Sequence, residues 1–409
     1  MLCTMIKMKL ITITILFAGL IIAGCKKDDP MNTDLNQGST IDNNLISGSG
    51  TTSFIRVIGG IDLDGLYSVK QTIDGGFIFC GFSENQANSE RDILLLKTDN
   101  TGGTEWIKTF SDNYTDQGWY IQETDNNEFI IAATSTTQAS SSMSSTPYLG
   151  QLLKVNGNGT LQWKKSYNMG SFTSFSTVQQ TSDGGYIICG SEYSSETAFL
   201  IKTDASGNEL WQKSFSNKKE FNHIELTTDG GFVICGVDNS NPTKQTDIFI
   251  AKTDNTGDTL WTKTLGNNYD NTARAIKQDG NDFVIAGYNT NTASGASGFV
   301  ISVDSIGDEN WSKDYLSDNI QALDFIELTS DNEYILIGRE SFGNNSDCYL
   351  LKVSSNNGDV LWKSTFSEGN YNLLNEVQQT NDNGYIIAGY SLKNGNGNGL
   401  IIKTDQNGN

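Results

Sequence analysis

The sequence predicts an all-β fold of seven blades with four strands each, and three observations predict it. Short apolar runs alternate with turns rich in Gly, Asn, Asp, Ser and Thr, with 42 glycines and only three prolines in 409 residues; that composition suits many short strands joined by tight hairpins. A corner written Asp74-Gly75-Gly76 returns at Asp183 and Asp229, and in looser form at Asp125, Asp279, Asp331 and Asp382, about 50 residues apart. Six tryptophans, Trp106, Trp163, Trp211, Trp261, Trp311 and Trp362, keep one place between those corners. Four short strands per unit at this period make a β-propeller, a ring of blades around a central channel.

Each repeat reads in the same order. The corner opens a first apolar strand, as in "GFIFCGF" or "GYIIAGY", and a second follows, as in "DILLLKTD" or "GLIIKTD". The third carries the tryptophan, and the fourth, such as "YSVKQT", leads back into the next corner. Between the second and third strands the phrase Asp-x-x-Gly-x-x-x-Trp has a physical basis. Asp99, Asp204, Asp254 and Asp304 can accept from the backbone two residues on, while Gly102, Gly207, Gly257 and Gly307 can take the left-handed conformation a hairpin requires. The tryptophan is expected to wedge between neighbouring blades. The copy at Lys352 has one extra residue before Gly358 and the copy at Lys154 has Asn156 for Asp, which suits a turn better than a catalytic role.

Seven corners face six such tryptophans. The missing strand is predicted at the other end of the chain, where "SFIRVIGG" from Ser53 matches "LWTKTLGN" from Leu260 with Phe54 in the Trp place. Residues 53–58 would then complete the last blade, and the propeller would span 53–409. Closure of this kind removes exposed sheet edges.

Ahead of it, Lys7 and Lys9 precede an apolar run from Leu10 to Ile22, then Ala23, Gly24 and Cys25. Residues 1–24 read as a signal peptide, too short and wrongly flanked for a permanent membrane helix. "IAGC" resembles the bacterial lipobox, whose Cys is acylated and becomes the mature N-terminus, so Cys25 is the expected lipid anchor. "KKDD" after it resembles the export signal of surface lipoproteins of the Bacteroidetes group. The span 25–52, rich in Asn, Ser, Gly and Thr, reads as a flexible tether, and outer-membrane attachment facing the cell exterior is the expectation.

The net charge is −21, and −23 once Lys7 and Lys9 leave with the signal, since 25 basic then stand against 48 acidic residues. Such a chain is repelled by phosphate backbones, so nucleic acid is not an expected partner. At "KTDNTGDTLW" the repeat resembles the pyrroloquinoline-quinone-type propeller repeat, over nearly all of 53–409. The resemblance implies the fold. Quinone-using members pair adjacent cysteines over the cofactor and bind calcium through nearby carboxylates; no adjacent Cys pair exists here, so that redox activity is not carried over. A propeller lipoprotein of the outer-membrane barrel-assembly machinery, a non-enzymatic scaffold, is a further member. The gaps between Asp, Gly and Trp here, three and four, differ from those of sialidase Asp-boxes.

Cys80, Cys189 and Cys235 share one repeat position with Ala132, Ala286, Ile337 and Ala388, as a small buried apolar side chain would; Cys348 is alone on its strand. Counting six residues back from each corner gives Ser68, Trp119, Thr177, His223, Ala273, Phe325 and Glu376 beside consistently apolar neighbours such as Val69 and Val178. These begin the innermost strands and are expected to ring one mouth of the channel. Ser68, Trp119, Thr177, His223, Phe325 and Glu376 are therefore the candidate ligand contacts, with packing between blades as the competing role. His223 is the only histidine, so no multi-His metal site is expected. "IDLDG", Ile61 to Gly65, has two aspartates spaced as in some calcium loops without the later ligands; no cofactor is expected. The insertion from Ser135 to Gly150 reads as a surface loop carrying Tyr148.

Anchor, tether and scaffold together predict a non-catalytic binding module that meets a glycan or protein ligand through a propeller face. A periplasm-facing assembly scaffold is the alternative. A hydrolase or lyase using Glu376 and Asp62 is a third reading, since paired carboxylates can do such work.

Overall fold

The computed structural model describes residues 42–44, 53–59, 63–85, 90–112, 115–137, 146–217, 219–240, 246–267, 269–291, 295–315, 322–342, 345–367, 371–393 and 396–409. They form a seven-bladed propeller of antiparallel four-stranded blades. In blade 1 the strands run outward from the channel as Leu63–Gln71, Phe77–Asn85, Glu90–Thr98 and Thr104–Phe110. The other innermost strands are Asp116–Thr124, Thr173–Gln180, Lys219–Leu226, Asp270–Asp279, Ala322–Leu328 and Tyr371–Gln379. Second strands such as Tyr186–Glu192 are buried along their whole length. Packed on both faces by adjoining blades, they read as continuous apolar runs rather than as an alternation.

Blade 7 closes as the sequence predicts. Tyr371–Gln379, Tyr385–Lys393 and Asn396–Thr404 are completed by Phe54–Ile58, paired from Phe54 opposite Lys403 to Ile58 opposite Gly399. Outside that strand, Asp42–Asn44 adds a short pairing with Ile55–Val57, inside the span that the sequence assigns to the tether. Residues 1–24 and Cys25 lie outside the described residues.

The repeat phrase is visible as bonds. The Asp254 carboxylate accepts from the backbone N–H of Thr256 and of Asp258, both at 2.9 Å, and Asp99, Asp204, Asp304 and Asp405 do the same in their own turns. Gly257 follows at φ 78°. A methyl group there would come within 2.5 Å of Trp211 of the preceding blade, so the tryptophan lies directly on the next blade's turn. The Trp261 indole N–H donates to the Ser305 carbonyl of blade 5 at 3.0 Å. Phe54 sits against Gly102 in the same manner, so the last interface copies the others.

The structure gives a role to one further residue of the repeat, the lysine that Thr-Asp follows in four blades and Val-Ser follows after Lys352. Lys97, Lys202, Lys252, Lys352 and Lys403 are buried, and each pairs with the corner aspartate of its own blade, Asp74, Asp183, Asp229, Asp331 or Asp382, at 2.6–3.0 Å. Four of them also donate to the carbonyl of the next threonine. A long stem in the core with its ammonium at a partnered rim satisfies both halves of the side chain. Burial opposes the Asp183 charge, but Lys202, Thr181 and the Gly185 N–H together bring its carboxyl down to about 2.

Candidate functional site

Every innermost strand carries a β-bulge at the same place. The register slips between Leu66 and Ser68, Gly118 and Tyr120, Phe175 and Thr177, Phe221 and His223, Ala273 and Ala275, Leu323 and Phe325, and Leu374 and Glu376. A bulge re-aims the extra residue, and here it does so seven times around the channel. Two tiers of side chains result. The lower tier is Ser68, Tyr120, Thr177, His223, Ala275, Phe325 and Glu376, all buried. The skipped residues, Tyr67, Trp119, Ser176, Asn222, Arg274, Asp324 and Asn375, form the upper tier.

The structure thus brings Ser68, Thr177, His223, Phe325 and Glu376 into one ring, and moves Trp119 and Ala273 out of it. In blades 2 and 5 the corner spans only 125–127 and 280–281, against 72–76 in blade 1, so counting back from the corner lands early. Counting from the apolar residue that follows the ring gives the true register: Ile121 and Ile276 match Val69, Val178, Ile224, Ile326 and Val377, and point to Tyr120 and Ala275.

All of the upper tier and all of the lower tier but Ser68 and Ala275 line a depression of about 280 Å³ at the channel mouth, together with Ser174, Phe175 and Tyr193. Tyr67 and Trp119 stack at 4.7 Å between centroids and 27° between planes, and the Trp119 N–H donates to Thr134 Oγ1 at 2.9 Å. His223 meets Phe325 edge to face at 5.4 Å and Tyr120 at 6.3 Å. Several upper-tier groups also stitch blades together. Ser176 donates to the Phe221 carbonyl, Asn222 to that of Ala273 and Asn375 to that of Leu66, at 2.7–2.8 Å.

Two polar groups remain unmet. Neither His223 nitrogen makes a hydrogen bond of good geometry, the Ile276 backbone giving only a weak interaction, although the residue is 3 % exposed. Burial, then the charges of Lys277 and Lys70, hold its pKa well below the ordinary value, so the ring is neutral at physiological pH. Asp324, 8 % exposed, has one oxygen without a partner; Arg274 and Arg339 stand at 3.7 and 4.0 Å from the other.

Glu376 is fully engaged. One oxygen accepts from Ser68 Oγ and from the Val69 N–H at 2.9 Å, and the other pairs with Lys70. The pair joins blade 7 to blade 1. Deeper in the channel Lys277 sits between Glu327 at 3.1 Å and Glu225 at 3.3 Å, with Gln179 donating to Glu225. Burial works against the Lys277 charge, and the two glutamates outweigh it, raising its pKa.

Asp62 lies outside the described residues, and Asp64 is buried. Among the described residues no group of three or more His, Cys, Asp and Glu side chains is placed to hold a metal ion. Cys80, Cys189 and Cys235 are free and buried behind Ser68, Thr177 and His223, their strand partners, and Cys348 is buried with its thiol donating to the Phe366 carbonyl at 3.5 Å. Tyr148 opens the strand Tyr148–Val155 and packs edge to face on Phe172 at 5.4 Å; residues 138–145 of its loop lie outside the described ones.

No protein-family model matches the chain, and no curated protein matches it. Among solved structures it resembles streptogramin B lyase, with a TM-score of 0.53 at 11 % identity, covering 91 % of this chain and 100 % of that one. Sqt1 of Chaetomium thermophilum, solved bound to the N-terminus of ribosomal protein L10, gives 0.50 at 8 % over 89 % and 100 %. A Lactobacillus plantarum protein gives 0.50 at 13 % over 83 % and 98 %. At these identities the likeness is one of fold alone. A propeller does not fix a function; the site on it must be read for itself.

Proposed function

We propose that this chain is a membrane-anchored lipoprotein that works as a binding module on the outer face of the cell, taking its ligand at the channel mouth without transforming it. The observation that carries the binding role is the depression itself: a concave, aromatic-lined site with two buried polar groups unmet is where a ligand finds both apolar contact and unshared hydrogen bonds. The repeat's resemblance to pyrroloquinoline-quinone-type propellers supports the scaffold, and the absence of an adjacent cysteine pair in the sequence leaves its redox chemistry aside. Lipobox and "KKDD" support anchoring at Cys25 and outward placement. The surroundings of Glu376 favour a seal between blades over a general acid, because its oxygens already serve Ser68, Val69 and Lys70.

Protease treatment of intact cells tests the placement. Release of a folded fragment covering 53–409 is the expected result, with Cys25→Ala abolishing both acylation and membrane retention. Protection until the outer membrane is opened would instead place the propeller in the periplasm, as an assembly scaffold.

A further inference from the structure

Resting on the reading of the channel mouth as a binding site, we infer that its ligand is a single neutral sugar ring of about hexose size. Size comes first. About 280 Å³ stands at or below the small end of ligand cavities, roughly 300–1,000 Å³, which suits one ring and not a folded peptide segment.

Charge comes second. The wall carries both signs, Asp324 and Glu376 against Arg274, with Lys70 behind Glu376, and His223 is neutral. An ammonium group entering here approaches Arg274 and Lys70, while a carboxylate or phosphate approaches Asp324 and Glu376. Neither sign gains a net field, so a neutral ligand is favoured.

Hydrogen bonding is third. Asp324 offers an acceptor with no partner, and a neutral imidazole offers one donor and one acceptor. Groups that donate and accept at neighbouring positions meet both demands, and vicinal hydroxyls do so. The rest of the lining mixes hydroxyl and amide side chains, Ser176, Thr177, Asn222 and Asn375 among them, with aromatic rings: the stacked Tyr67 and Trp119, and Tyr120 and Phe325 beside His223. A sugar ring combines a hydroxyl edge with a C–H face that packs on such rings.

Because the chain has one histidine, ¹⁵N-histidine labelling gives one imidazole to watch. The full-length chain, held in a detergent without a sugar headgroup, is titrated with the methyl glycosides of glucose, galactose, mannose and N-acetylglucosamine. At least one is expected to move the His223 nitrogen resonances saturably, with millimolar affinity or better. Trp119→Ala and the isosteric Asp324→Asn are each expected to weaken that binding by about tenfold or more with the thermal midpoint little changed. Asp324→Asn keeps the test decisive if Trp119→Ala fails to fold. A disaccharide ending in the same ring that binds equally well points to a glycan terminus, and binding of the free sugar alone to a soluble sugar; either supports the inference. Saturable shifts from adenosine, tetramethylammonium or acetate with none from any sugar overturn it and keep the binding site. If no probe moves His223, the reading of the mouth as a binding site falls as well.

Discussion

The two faces of this propeller are built on opposite principles. On one face the hairpins 99–103, 204–208, 254–258 and 304–308 repeat one design, an aspartate bonded to two backbone amides, a left-handed glycine and an aromatic ring from the preceding blade lying on it, Phe54 in the first and a tryptophan in the others. On the other face the lower tier differs in every blade. Ser, Tyr, Thr, His, Ala, Phe and Glu take the same place in seven equivalent strands. Repetition marks where blades must fit one another; its loss marks where the backbone is already held and side chains are free to specify something else.

The sharpest way to break this contrast is to cut one tryptophan from each face. Trp211→Ala is expected to cost about 3 kcal/mol, since a half-buried indole between blades leaves a void the rigid sheets cannot close. Trp119→Ala, on a bulge at the mouth, is expected to cost well under half of that. Urea unfolding midpoints of the two variants decide it, and equal losses would show that the mouth is as structural as the turns.

Glu376→Gln probes the one place where the mouth is also a joint. Losing the charge leaves Lys70 without its counter-ion across the junction of blades 7 and 1, at a cost of about 2–3 kcal/mol. Lys70→Met together with Glu376→Gln should recover part of it. A loss no larger than that of an exposed substitution would mean that the seal rests on Phe54–Ile58 alone.

The repeating face was almost fully legible in the sequence. Turn chemistry is local, so Asp99, Gly102 and Trp106 declare it within eight residues, and the displaced strand was found because Phe54 keeps the pattern. The lysine of Lys-Thr-Asp was present in plain view but lacked a reason until the corner aspartate was seen beside it. The mouth was legible only in outline. Five ring residues were located, yet Trp119 was assigned to the wrong tier because the shorter corner of blade 2 shifts the count by one, onto the bulged residue. Arg274 and Asp324 had no signal of their own: their meaning comes from strands far apart in the chain. Alignment on Ile121 and Ile276 was the cue available.

Acid titration sorts the buried groups by the direction of their shift, and both directions occur at the mouth. His223 is held below its unfolded value of about 6.5, so the native state takes up fewer protons and stability falls as pH drops through that value, by about 1.4 kcal/mol per unit at most. Lys277 and Lys70 beside it keep this sign, and the backbone of Ile276 opposes it. Asp116 acts oppositely. Burial raises its carboxyl to about 7, so the folded state binds the extra proton and gains stability from pH 7 down towards 4. His223→Gln should therefore make the chain more acid-tolerant between pH 6.5 and 5, and Asp116→Asn less so. The Asp183 and Asp229 clamps, with carboxyls at about 2, weaken only below the usual carboxylate range of about 4. If His223→Gln leaves the slope unchanged, the imidazole is not neutral in the native state.

The smallest effect tests how strictly the repeating face is constrained. Gly230 and Gly257 have nearly the same backbone, φ 83° and 78°. At Gly257 a methyl group meets Trp211; at Gly230 nothing lies within 4 Å. Gly230→Ala therefore isolates the cost of a left-handed alanine, about 1 kcal/mol. Gly257→Ala adds the displaced indole and should approach the Trp211→Ala loss. If the two alanine variants are equally stable, the tryptophan yields freely, and the corners owe their recurrence to backbone conformation alone. If Gly230→Ala is harmless while Gly257→Ala is severe, the contact between blades is what the repeat maintains.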